Sequence, residues 1–120
     1  PSMAYDSNNI FAKILRGEIP CKKVVESAHS LAFEDIDPKA PVHVLVIPKG
    51  AYVSQHDFAE NASAEEIPDF WRRVRQVAED AGVASSGYRT ISNHGVDALQ
   101  EVPHYHLHVL GGRSLKAMIR

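Results

Sequence analysis

His104-Tyr105-His106-Leu107-His108-Val109-Leu110-Gly111-Gly112 decides how the rest of the 120-residue chain is read. Three histidines stand at every second position, with Tyr105, Leu107 and Val109 between them. That period belongs to a β-strand, whose successive side chains point to opposite faces. At about 3.3 Å rise per residue, neighbouring imidazoles stand roughly 6.6 Å apart on one face. Tyr105, Leu107 and Val109 are then expected to face a core. A helix would scatter the imidazoles around its circumference. Imidazole titrates near pH 6.5, so it can act as nucleophile, base, acid or ligand. Three in a row cannot all be charged cheaply, because like charges disfavour one another. The row therefore asks for an anion or a metal opposite it; the bland alternative is solvation on an open sheet face.

Outward from that stretch, Gly87 to Ser92 reads as a strand and Asn93 to Ala98 as a loop. His43 to Ile47 is a third strand, closed by Pro48. Lys22 to Glu26 and Leu31 to Ile36 read as two more, joined by a turn near Ser27 to Ser30. Asp37-Pro38-Lys39-Ala40-Pro41 breaks regular structure. Asn8 or Asn9 can cap a short helix that carries Ile10, Phe11, Ile14 and Leu15 on one side and ends at Gly17. Ser63-Ala64-Glu65-Glu66 has the form of a capping box, and Pro68 close behind it moves the expected start of regular helix to Pro68. Phe70, Trp71, Val74, Val77, Ala78 and Ala81 then follow helical spacing up to Gly82. Arg72, Arg73 and Arg75 fall on the wet side, where solvation explains them. Turns can join most neighbouring strands, so the expected class is α+β: a five-stranded antiparallel sheet with two helices.

The length suits one domain, expected over residues 4 to 120, with Pro1-Ser2 before Met3 read as a cloning remnant. With 44% hydrophobic and 23% charged residues and a net charge of -2, nothing points to a nucleic acid or a membrane as partner. The one cysteine, Cys21, excludes an internal disulfide and suits a reducing compartment. No signal-peptide pattern or membrane-length apolar run occurs, which leads to a cytoplasmic expectation.

The His104-x-His106-x-His108 row with its following Gly-Gly resembles the histidine triad family of nucleotide-binding proteins. The likeness extends to Asn9-Ile10-Phe11-Ala12-Lys13-Ile14, Gly17-Glu18-Ile19-Pro20 and Ala32-Phe33-Glu34-Asp35-Ile36. Ala40-Pro41-Val42-His43, Val46-Ile47-Pro48-Lys49, Gly87-Tyr88-Arg89 and Asn93-x-Gly95 carry it through residues 8 to 113. It is similar above all to the Hint branch, the nucleoside phosphoramidases.

The resemblance implies a homodimer, paired partly through the long helix, and a pocket for a purine mononucleotide such as AMP or GMP. Ile10, Phe11, Ile14, Phe33, Ile36 and Leu45 would surround the base, and Asp35 would hold the ribose hydroxyls. His106 would attack the α-phosphorus, giving a nucleotidyl-histidine that water hydrolyses. His104 and His108 would contact the phosphate, with His43 and Asn93 completing the polar shell. Leu99, Gln100, Glu101 and Val102 fall in the nucleotide-binding segment before the row. Two of these depart from the family: Glu101 stands where relatives often carry serine, and Leu99 replaces a glycine. Asn9 and Ala12 occupy the positions of a cysteine pair that binds zinc in some bacterial members.

The implied reaction is cleavage of a nucleoside 5′-phosphoramidate, such as adenosine phosphoramidate, to the monophosphate and an amine. It needs no metal or other cofactor. The alternatives are a dinucleoside polyphosphate hydrolase, a low-turnover nucleotide sensor, and a hydrolase whose metal is held by two row histidines joined by His43 or Glu101.

Overall fold

Alternating apolar residues fold this chain into one twisted sheet whose two faces bury different things. The computed structural model describes residues 4–118, so the remnant reading of Pro1 to Met3 lies outside the described residues. The strands are β1 (Lys23–Glu26), β2 (Ser30–Glu34), β3 (Val42–Pro48), β4 (Tyr88–Ile91) and β5 (Leu107–Gly111). They lie in the order β1-β2-β3-β5-β4, and every neighbouring pair is antiparallel. The α+β class and the five strands are as the sequence predicts.

The helices differ in one respect. Among the described residues three α-helices form rather than two: α1 (Ile10–Leu15), α2 (Gln55–Asn61) and α3 (Glu66–Asp80). The expected count missed α2 because Phe58 is its only buried residue, which leaves no apolar stripe to read. Asn9 caps α1, its side-chain oxygen accepting the Ala12 N–H at 2.9 Å, and Gly17 at φ 78° lets the chain turn away. The capping box forms reciprocally: the Glu66 N–H donates to Ser63 Oγ at 3.1 Å and the Ser63 N–H to Glu66 Oε1 at 3.0 Å. Helix α3 therefore begins two residues before Pro68. The proline is the third residue of the helix, and its missing N–H leaves a single gap between the bonds that Ile67 donates to Ser63 and Asp69 to Glu65.

Pairing register sorts the side chains. Ala32, Val44, Val46, Leu107 and Val109 meet Phe70, Val74 and Val77 of α3 in one core cluster. Leu31, Phe33, Leu45 and Ile47 point the other way, toward Phe11 of α1. Leu45 lies opposite His108 and His43 opposite Leu110, so these histidines share the α1 side of the sheet.

Candidate active site

The histidine row begins before its strand does. Strand β5 pairs with β3 only from Leu107, opposite Val46, to Gly111, opposite Val42. The expected strand from His104 is thereby corrected. Pro48, which ends β3, has no N–H to offer a ladder, and its carbonyl accepts a hydrogen bond from His104 Nε2 at 2.9 Å. Tyr105 instead donates its N–H to the Tyr52 carbonyl at 2.7 Å, and Ser92 Oγ donates to the His106 carbonyl at 3.1 Å. The alternation survives without the ladder: Tyr105 and Leu107 enter the α3 core, and the histidines face α1.

Each imidazole has a proton position dictated by its partners. A carbonyl only accepts, so His104 carries its proton on Nε2 and its Nδ1 accepts from the Tyr5 hydroxyl at 2.8 Å. With 0% of its surface exposed, its pKa is pushed down to about 4 by burial. Both nitrogens are occupied. With Tyr5 and Pro48 in place, this side chain offers no free nitrogen for the phosphate contact expected of it.

His106 Nδ1 donates to the His104 carbonyl at 2.7 Å, which leaves the lone pair on Nε2 open. Burial lowers its pKa, so the ring stays neutral. The Phe11 ring meets it edge-on, with centroids 4.8 Å apart.

The other end of the row is wired differently. The Lys39 backbone N–H donates to His43 Nδ1 at 3.0 Å, which puts the His43 proton on Nε2. That nitrogen lies 2.8 Å from His108 Nδ1 and 3.3 Å from Asp35 Oδ2. His108 Nδ1 is consequently an acceptor, and the His108 proton sits on Nε2. Burial lowers both pKa values; His108, flanked also by His106 and His43, falls to about 4. Asp35 Oδ1 accepts the Asp37 N–H at 2.8 Å. Two oxygens with about four acceptor sites still leave this carboxylate capacity for hydroxyl donors.

Asp35, His43, His108 and Asn93 line a cavity of about 370 Å³. None of the expected base-binding residues lines this cavity, and they divide by burial. Phe11, Phe33 and Leu45 are buried in one cluster, with Ile14 and Val102 packed against it. Ile10 and Ile36 are exposed instead, Ile36 completely. Leu99 takes φ 59° and ψ 37°, a left-handed conformation that a glycine would adopt freely and a leucine adopts at a steric cost. Its side chain is 80% exposed, and Glu101 is exposed as well. Gln100 braces the loop instead of offering its amide: Oε1 accepts the Gly95 N–H, and Nε2 donates to the Val53 and Val102 carbonyls.

A metal has one candidate seat among the described residues. Asp35, His43 and His108 bring ligand atoms within 4.8 Å of one another. A metal needs a lone pair on His43 Nε2, where the Lys39 amide has placed the proton. The donor set therefore fits an ion poorly. Of the row histidines only His108 belongs to this group; His43 joins it as expected, but the second row histidine of the metal reading does not, and neither does Glu101.

Three functional contacts escaped the sequence: the Tyr5 hydroxyl, the Lys39 amide and the Pro48 carbonyl. No spacing signals them, because two are backbone atoms and Tyr5 lies 99 residues from its partner.

Residues 16–115 match the HIT domain family model. The chain is 61% identical over 115 residues to a 13.2 kDa HIT-like protein of Azospirillum brasilense, covering 96% of this chain and 94% of that one. It is 41% identical over 113 residues to the purine nucleoside phosphoramidase of Escherichia coli K12, covering 92% of each. Its fold superposes on a HIT family hydrolase from Clostridium thermocellum with a TM-score of 0.86 at 40% identity, over 96% of this chain and 99% of that one. Family model, relatives and fold agree, and the chain belongs to the HIT domain family.

Proposed function

We propose that this chain is a nucleotide-binding hydrolase that cleaves purine nucleoside 5′-phosphoramidates to the monophosphate and an amine. The observation that carries this reading is the tautomer of His106. Its Nδ1–H is held by the His104 carbonyl, and its open Nε2 belongs to a ring kept neutral by burial. A neutral imidazole lone pair is a nucleophile near pH 7. The similarity to the Escherichia coli purine nucleoside phosphoramidase supports the substrate class.

In the proposed first step, Nε2 attacks the α-phosphorus, and the bond from phosphorus to the amine nitrogen breaks. The amine leaves with that bond's electron pair and takes up a proton. His108, with its proton on Nε2 and its Nδ1 held by His43, is the hydrogen-bond donor to a phosphoryl oxygen, while the departing amine takes its proton from solvent water. Water then attacks phosphorus and releases a proton to solvent, the histidine–phosphorus bond breaks with its electron pair returning to Nε2, and His106 is neutral again. Asp35 orients the ribose and Phe11, Phe33 and Leu45 support the base. Adenosine 5′-phosphoramidate is the test substrate. Release of AMP is the expected result; AMP or GMP binding without turnover between about pH 5.5 and 8, a window around the imidazole pKa, would leave a sensor.

The same reading includes a symmetric dimer. Strand β4 is an edge strand, and beside it a groove of about 720 Å³ is lined by Trp71 and Ile91. Both are large apolar residues left exposed, Trp71 by 48%. Light scattering is expected to return twice the 13.2 kDa of the chain, and a single-chain mass at micromolar concentration would refute the dimer.

A further inference from the structure

We infer that Tyr5 is a positioning residue for the His106 nucleophile, acting through His104. The inference rests on the proposed role of His106 and extends it to a segment that no motif marks.

Residues 104 to 106 lack ladder hydrogen bonds to β3. Beside the bonds that Tyr52 and Ser92 make to residues 105 and 106, the backbone at His104 is held by its own side chain, suspended between two anchors. Nε2 donates to Pro48 at 2.9 Å, and Nδ1 accepts from Tyr5 at 2.8 Å. The carbonyl of the same residue receives the His106 Nδ1–H at 2.7 Å. A continuous chain of hydrogen bonds therefore runs from Tyr5 through residue 104 to the ring of His106. Each link fixes the next: the Tyr5 hydroxyl selects the Nδ1 lone pair, the ring orientation fixes residue 104, and its carbonyl sets which nitrogen of His106 is open.

Tyr5 is delivered to this place by its own segment. Asn9 Nδ2 donates to the Asp6 carbonyl at 2.7 Å, and Arg16 donates to the Ser7 carbonyl at 2.8 Å. These bonds tie residues 6 to 9 to α1, whose Phe11 touches the His106 ring. The Tyr5 ring lies tilted against His104 with centroids 5.6 Å apart. Removing only the hydroxyl should keep that packing and strand a buried acceptor, which lets the His104 ring turn or admit water. His106 would still be present and neutral, with a less defined orientation. Catalysis is sensitive to such misplacement where binding is not.

The experiment is Tyr5→Phe in the full-length protein, with adenosine 5′-phosphoramidate as substrate. We expect kcat about tenfold lower, on the scale of one buried hydrogen bond, with KM within twofold of wild type. Nitrogen-15 spectra of the imidazoles report the chain without substrate: the Nδ1 resonance of His104 should move, and the His106 resonances should shift or broaden with it. An unchanged kcat overturns the inference, as does a loss of activity with unshifted His104 and His106 nitrogens. A wild-type protein that fails to turn over would instead sink the proposed reaction itself, so the two failures are told apart.

Discussion

The two faces of the sheet are both buried, and burial does opposite things on them. Toward α3 the face is apolar, with Phe70 stacked on Tyr105 at 4.8 Å and Phe58 beside both. Exclusion of water there is favourable in itself, at roughly 25 cal/mol for each Å² of apolar surface covered. Toward α1 the same sheet covers imidazoles. Exclusion of water there disfavours their charged forms, which keeps lone pairs available at neutral pH and makes the fold sensitive to acid. One face supplies stability and the other spends a little of it on reactivity.

The contrast breaks most sharply at His106. Replacing it with Ala or Asn should lower turnover at least a thousandfold, about 4 kcal/mol, with nucleotide binding and the folded state largely retained. Mass spectrometry during turnover should find the nucleotidyl adduct on His106; an adduct on His43, His104 or His108 would assign the nucleophile elsewhere. On the opposite face, Phe70→Ala should cost at least about 3 kcal/mol of unfolding free energy. Chemical denaturation measures this, and a cost below about 1 kcal/mol would mean that the α3 face is not the stabilising one.

Acid tests both faces together. His104 and His108 are held near pKa 4 in the folded chain and titrate near 6.5 when unfolded. Between those values the unfolded chain binds more protons, so stability rises with pH across the window. Lowering pH from about 6.5 toward 4 should remove up to about 3 kcal/mol for the fully buried His104, at 1.36 kcal/mol for each tenfold, and less for the partly exposed His108. Denaturation midpoints that stay level over that range would contradict the neutral burial of the row. The smallest effect belongs to Leu99, which lies on neither face. Leu99→Gly relieves a left-handed leucine but loosens the unfolded chain, for a net gain under about 1 kcal/mol; a clear loss of stability would show that the leucine side chain makes a contact worth more than its strain.

Much of this was legible in the residues. The period of two around His106 placed Tyr105, Leu107 and Val109 in a core and the histidines opposite. The turn and cap residues, with apolar spacing between them, located all five strands within a few positions. Depth was not legible. Alternation says which face a side chain takes, and only Tyr5, Phe11 and Pro48 in space make His104 fully buried while His108 keeps an open nitrogen. Gln100, a polar loop residue, reads like a ligand contact and proves to be a brace. Helix α2 was invisible because Phe58 holds it through distant aromatic partners rather than through a local pattern.

The strand order carries a consequence for the moment of synthesis. Strands β1, β2 and β3 are a meander of sequence neighbours, ready to pair as soon as they leave the ribosome. Strand β5 is made after all of them and yet lies between β3 and β4. Until it arrives, β3 and β4 each present a row of unpaired amides, the kind of open edge through which nascent chains stick to one another. Insertion of β5 closes both of those edges at once and, in the same movement, carries His106, which precedes the strand's first residue, to its place beside His104 and His108. On the proposed function, catalytic competence and protection from aggregation thus arrive together, as one late event in the making of the chain.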